Sequence, residues 1–65
     1  MQAFVTIDGE TYKSNQTDSS ATVAADQMFG IVTENVGGLK MELENGDWLV
    51  IGKDAVRRAI FVFHK

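Results

Sequence analysis

The chain contains no cysteine and only one histidine, His64. Disulfide bonds and thiolate-bound zinc are therefore excluded, and a structural metal could be held only by carboxylates. With 65 residues, the chain has room for a single domain, residues 1–65, and a domain of this size buries only about 60% of its unfolded surface. Since cross-links cannot add stability, self-association is the main remaining source of it.

The sequence also lacks a long apolar run. Its apolar runs are far shorter than the roughly 18 residues that a membrane helix needs, and no basic region followed by an apolar one marks a signal peptide. We therefore expect a soluble, cytoplasmic protein without a membrane partner. With 45% hydrophobic and 23% charged residues, the composition is typical of a folded domain rather than a disordered chain.

Features that would indicate catalysis are missing as well. No serine has a recognisable nucleophile setting, and His64 is expected to be an ordinary strand-end residue. The carboxylates cluster at two predicted hairpin tips, where charge is normally solvated, and they are too few for an EF-hand loop. Gly37-Gly38 lacks the lysine and the helix start of a phosphate loop. We expect no enzyme activity, no metal and no cofactor.

Two dipeptides, Asp8-Gly9 and Asn45-Gly46, each predict a β-hairpin with a two-residue type I′ turn. In the first hairpin this register places Thr6 opposite Thr11 on a polar face, to which Phe4 also belongs, either as an exposed aromatic anchor or beneath a covering element. The other face carries Ala3, Val5, Ile7 and Tyr12. In the second hairpin the predicted core face carries Leu39, Met41, Leu43, Trp48 and Val50, with Leu49 and Ile51 on the opposite face.

The segment between the hairpins begins with a polar loop, residues 14–20. A short helix over residues 22–29 is favoured, capped by Ser19 or Ser20 and ended by Gly30 or Asn35. A strand over residues 28–33 is the alternative because of its β-branched and aromatic residues, so residues 22–33 remain open between helix and strand. Residues 36–38 form a connector.

After the second hairpin, Asp54 is a candidate cap for a single helical turn over residues 55–58. Residues 59–63 follow as a strand that is apolar on both faces, which indicates cover on both sides or pairing across a subunit boundary. The predicted fold is mainly β or α+β: two antiparallel hairpins, one short helix between them and a C-terminal strand, in a small bent sheet or a partly closed barrel.

The apolar residues exceed what one small core needs, and the surplus predicts a non-enzymatic interaction or adaptor module that self-associates or binds a protein partner. The predicted interface consists of Phe4, Leu49, Ile51, Phe61 and Phe63. One alternative is single-stranded nucleic-acid binding through Lys53, Arg57 and Arg58 beside the aromatic strand, although the net charge of −3 disfavours a phosphate-binding surface. Another is a small acidic inhibitor of a larger enzyme.

Two segments carry a family resemblance. LVIGKDAVRRAIFVF, a strand ending in Ile-Gly, a short turn and an apolar strand, resembles the second motif of Sm-like proteins. FVTIDGETYKS is similar to the opening strand, glycine turn and second strand of such a small barrel. The resemblance implies a ring of subunits joined edge to edge through the last two strands, with RNA bound near the turn at residues 52–56.

Overall fold

A computed structural model describes residues 1–34 and 37–65 of the chain. The elements are β1 (Gln2–Ile7), β2 (Glu10–Lys13), α1 (Ala21–Glu34), β3 (Leu39–Glu42), β4 (Trp48–Ile51), α2 (Lys53–Arg58) and β5 (Ile60–His64). The strands form two antiparallel sheets, one in the order β2-β1-β5 and one of β3 and β4. The mainly β, α+β fold is confirmed, and neither sheet formed by the described strands closes into a barrel.

The first hairpin has the predicted turn and register. Asp8 and Gly9 have φ values of 50° and 87°, as both central residues of a type I′ turn require. Thr6 lies opposite Thr11, and their hydroxyl oxygens are 2.9 Å apart. The inner face of this sheet, defined by Ala3, Val5, Ile7, Tyr12, Phe61 and Phe63, follows from the pairing of β1 with β2 and β5.

The second hairpin has a different turn from the predicted one. The Gly46 N–H donates to the Leu43 carbonyl at 3.0 Å, and the Leu43 N–H donates to the Asp47 carbonyl at 2.7 Å. Gly46 has a φ of 91°, whereas Asn45 is not among the residues with positive φ. The loop is therefore a type I turn followed by a left-handed glycine bulge, which holds one residue more than a type I′ turn. The Asp47 N–H also donates to Asn45 Oδ1 at 3.0 Å, a local bond that favours this turn.

The longer loop reverses the two faces of β4. Met41 pairs with Leu49, and Glu42 pairs with Trp48, whereas a two-residue turn would pair Met41 with Val50. The prediction that Trp48 and Val50 belong to the core is wrong, because they are 59% and 74% exposed. A register shift of one residue moves every side chain of a strand to the other face.

The two sheets are joined where β2 ends. Ser14 forms a bridge with Leu43, and the Glu44 N–H donates to the Lys13 carbonyl at 3.1 Å. Ser14 is buried, and its hydroxyl oxygen accepts from the Ala3 N–H at 2.8 Å and donates to the Asn15 carbonyl at 2.9 Å. The predicted loop thus begins with a residue that belongs to the sheet.

The core lies between the inner face of the larger sheet and the second hairpin. Its buried apolar side chains are Ala3, Val5, Ile51 and Val56. Leu49 and Ile51 line one groove together with Ile7 and Tyr12, so side chains of the two hairpins lie near each other there. Val56 is buried within α2, and this short helix therefore closes one side of the core.

The middle segment is a helix, and the strand alternative is wrong. α1 spans Ala21–Glu34, and the Val23 N–H donates to Ser20 Oγ at 3.4 Å, as expected for an N-cap serine. The helix continues through Gly30, which was one predicted end; the other, Asn35, lies with Val36 of the predicted connector outside the described residues. No residue of α1 is buried, so this helix contributes little to the core.

We expect replacement of Gly30 by alanine to stabilise the protein. Gly30 lies inside α1, and a Cβ built there has no atom within 4 Å apart from its chain neighbours and the backbone of its own helix. Alanine lowers the conformational entropy of the unfolded chain, which is worth about 0.5–1 kcal/mol in a helix interior. For a domain of this size the midpoint of thermal unfolding should rise by about 4 °C, as measured by circular dichroism. A lower midpoint would contradict the continuous helix.

α2 begins earlier than predicted. It spans Lys53–Arg58, with Gly52 at the N-cap and no side-chain capping bond. The prediction of Asp54 as the cap is therefore wrong, since Asp54 lies inside the first turn. A carboxylate in that turn and arginines in the last turn still interact favourably with the helix dipole.

Candidate interaction surface

β5 is apolar on both faces, and the structure shows where each face points. Phe61 and Phe63 lie opposite Val5 and Ala3 on the inner face of the sheet. The alternate side chains, Ile60 and Val62, point to the outer face, where they are 63% and 52% exposed. Large apolar side chains on neighbouring outward positions of one strand are typical of a contact surface.

Phe4 extends this apolar surface to the central strand. It lies directly opposite Val62 on one side and Lys13 on the other, and it is half-buried. We define the outer apolar patch as Phe4, Ile60 and Val62. Polar residues surround the patch on the same face: Gln2, Thr6, Thr11, Lys13 and His64. An apolar centre with a polar rim is the usual composition of a protein interface.

One edge of β5 has no partner strand. β5 is the last strand in the order β2-β1-β5, and in the described part of the chain no backbone hydrogen bond reaches its second edge. The direction in which the backbone N–H and C=O groups of β5 point can be worked out from the hydrogen bonds of β1. The Ala3 carbonyl accepts from the Ser14 N–H at 2.8 Å, so Ala3 and Val5 face β2, while Phe4 and its neighbours in alternate positions face β5.

Because antiparallel partners face each other in hydrogen-bonded pairs, Val62 bonds to Phe4 across the β1–β5 pairing. The backbone N–H and C=O groups of Phe61 and Phe63 then point to the open edge. Edge strands in stable monomers are usually protected by charge, proline, a bulge or a covering helix. Residues 60–63 contain no charge or proline, and β5 pairs with β1 without a bulge. α1 packs against β5, where it shares a groove with the inner-face side chains Phe61 and Phe63.

An apolar groove runs between α1 and β5. Its lining includes Met28, Phe29 and Val32 from the helix and Phe61 and Phe63 from the strand. Phe29 is 71% exposed. The groove has a volume of about 260 Å³, below the roughly 300–1,000 Å³ of small-molecule sites. Its lining is mainly apolar and aromatic.

The structure places the other predicted interface residues on the inside. Leu49 is half-buried and Ile51 is 8% exposed, because the turn of the second hairpin directs both toward the core. Their participation in an interface stays a prediction. The residues that sequence reasoning missed are Ile60 and Val62. They alternate with Phe61 and Phe63, and only the pairing of Phe63 with Ala3 decides which pair faces outward.

A second exposed apolar pair lies on the outer face of the second hairpin. Trp48 and Val50 point away from the core there, and Lys40 Nζ lies 5.7 Å from the centre of the Trp48 ring. At this distance a lysine ammonium has a cation–π attraction to the ring. Glu42 lies opposite Trp48, so a cation and an anion both lie next to the Trp48 ring on this surface.

The predicted nucleic-acid contacts are all exposed on α2, but carboxylates accompany them. Arg58 Nη2 lies 3.5 Å from Asp8 Oδ2, and Asp54 occupies the first turn of the same helix. Of the three predicted contacts, Lys53 and Arg57 therefore have no carboxylate ion pair in the described structure and could contact a phosphate group. Phe61 and Phe63 face the core side of the sheet rather than standing beside the arginines, so base stacking there lacks its aromatic partner. The alternative of an acidic enzyme inhibitor is supported by the net charge of −3 alone.

The surface carboxylates form no metal site within residues 1–34 and 37–65, where no cluster of three or more histidine, aspartate or glutamate side chains could hold an ion. Tyr12 donates a hydrogen bond to Glu10 Oε2 at 3.2 Å. The negative charge of Glu10, together with this bond, raises the pKa of Tyr12 above its usual 10.0. None of the helices described here has the length and hydropathy needed to cross a membrane.

Comparison of the chain with protein-family models, with curated proteins and with solved structures returned no match. The resemblance to Sm-like proteins therefore rests on the two segments that suggested it. In those segments the structure has an open pair of sheets where the resemblance implies a small barrel. The turn at residues 52–56 is occupied by most of α2.

Proposed function

We propose that this protein is a non-enzymatic protein-interaction module that self-associates through β5. The carrying observation is the combination of an unpaired strand edge with outward side chains that are 63% exposed at Ile60 and 52% exposed at Val62. The outer apolar patch and the open backbone edge belong to the same strand, so a partner strand paired at this edge would also lie beside the patch.

Two physical terms favour such a contact. Removing the exposed half of Ile60 or Val62 from water contributes about 1 kcal/mol for each side chain. Unpaired backbone groups at the edge of a sheet form regular hydrogen bonds with an added strand, the mode of recognition called β-augmentation. Since the small core of a 65-residue chain leaves a narrow stability margin, self-association also stabilises the fold.

The proposal predicts a concentration-dependent solution mass. Light scattering from micromolar to millimolar concentration should show a rise from 7.2 kDa toward twice that value. The Val62→Lys variant should form the dimer only at roughly tenfold higher concentration or more, because two ammonium groups would lie close together at the contact.

The matched control is Val50→Lys, which introduces the same charge at a side chain that is 74% exposed on the other sheet. This variant should keep the mass of the unchanged protein, and circular dichroism should show that both variants are folded. A constant mass of one chain across the whole concentration range would overturn self-association. Equal dissociation of both variants would show that β5 is not the contact.

A further inference from the structure

We infer that β5 pairs with β5 of a second copy in one antiparallel register, with Val62 on a two-fold axis. This inference rests on the proposed self-association and specifies its partner and geometry. Phe61 of one copy lies opposite Phe63 of the other, and the two sheets in the order β2-β1-β5 join into one continuous sheet through their open edges.

The backbone restricts the choice of register. In an antiparallel pair, residues whose N–H and C=O groups face the neighbour must lie opposite each other. On the open edge of β5 these residues are Phe61 and Phe63. With Val62 on the axis, each Phe61 meets Phe63 of the other copy, and both groups of every such residue are bonded.

The two neighbouring registers would form fewer hydrogen bonds along the open edge of β5. Placing Phe61 on the axis would bring Phe63 opposite Ala59, whose N–H already donates to the Val56 carbonyl at 3.3 Å. Placing Phe63 on the axis would bring Phe61 opposite Lys65, beyond the end of the strand at His64. The register centred on Val62 needs neither residue.

The side chains favour a second copy over a different protein. A two-fold interface brings the same surface of both chains together, so it must be self-complementary. The segment Phe61-Val62-Phe63 reads the same in both directions and carries no charge. Pairing along this segment therefore brings no like charges opposite each other.

Both faces of the joined sheet would become continuous across the axis. On the outer face, Val62 of each copy lies beside Phe4, so the outer apolar patches form one strip. On the inner face, Phe61 and Phe63 of the added strand would extend the apolar surface that borders the groove between α1 and β5. The contact would thus bring the two Val62 side chains together on the outer face and shield the edge of β5 from water.

The absence of native cysteine allows a direct test of the register by single-cysteine variants. In the proposed register the two Val62 residues form a non-hydrogen-bonded pair, with Cα atoms about 4.5 Å apart. This distance is within the range that a disulfide spans. The Val62→Cys variant should therefore become a disulfide-linked dimer under mild oxidation, roughly tenfold faster than either control at the same concentration.

Two controls separate the alternatives. Ile60→Cys places the thiol on the same face, two positions away, at a side chain that is 63% exposed, and Val50→Cys places it on the other sheet at one that is 74% exposed. Faster cross-linking of Ile60→Cys would overturn the register while leaving pairing through β5 intact. If Val62→Cys cross-links no faster than Val50→Cys although the unchanged protein is a dimer by mass, edge pairing fails. A monomeric unchanged protein would overturn the proposed function itself.

Discussion

Replacement of Ile51 by threonine should lower the free energy of unfolding by about 2–4 kcal/mol, whereas replacement of Val50 by threonine should change it by less than about 0.5 kcal/mol. Both substitutions keep a β-branched residue in β4, so strand propensity is similar. Ile51 is 8% exposed and Val50 is 74% exposed, and only the former would place a hydroxyl group in the core.

Urea unfolding followed by circular dichroism measures this difference, with both variants at one protein concentration because self-association adds to apparent stability. The pair of variants tests the register of the second hairpin directly. A two-residue turn at Asn45-Gly46 would place Val50 in the core and Ile51 outside. A larger loss from Val50→Thr than from Ile51→Thr would contradict the longer loop.

Replacement of Gly38 by alanine should also destabilise the protein strongly. A Cβ on Gly38 would overlap the carbonyl oxygen of Ile51 and lie 3.1 Å from both the carbonyl carbon of Ile51 and the Cα of Gly52. These are backbone atoms, so no side-chain rotation can relieve the contact. The ends of β3 and β4 would have to separate where Leu39 pairs with Ile51. We expect a loss of about 2–3 kcal/mol, near the upper end for overpacking.

The Gly30→Ala variant is the matched control for this experiment, because it makes the same chemical change at a position with open space around the new methyl group. The two variants should shift the urea midpoint in opposite directions. A neutral Gly38→Ala variant would mean that β3 and β4 do not approach each other so closely at this end. It would also weaken the assignment of Ile51 to the core.

In the first hairpin, the local sequence predicts both the turn and the register correctly. Asp8 and Gly9 both tolerate positive φ, and the segments beside them alternate between apolar and polar residues. Turn chemistry and side-chain pattern therefore favour the same register. The sequence also narrows the N-cap of α1 to Ser19 or Ser20, of which Ser20 makes the capping bond. The full length of α1 does not follow from the sequence, because Gly30 and the β-branched residues after it have low helix propensity.

The sequence by itself determined the mainly β, α+β class, the position of each hairpin, the register of the first one and the two-sided apolarity of β5. The tertiary structure alone decided the register of the second hairpin and which face of β5 meets solvent. Asn45-Gly46 fits a type I′ turn and equally a type I turn with a glycine bulge. Because every residue of Trp48–Ile51 is apolar, alternation could not choose between them. The burial of Ile51 selected the longer turn, and the pairing of Phe63 with Ala3 selected which face of β5 points outward.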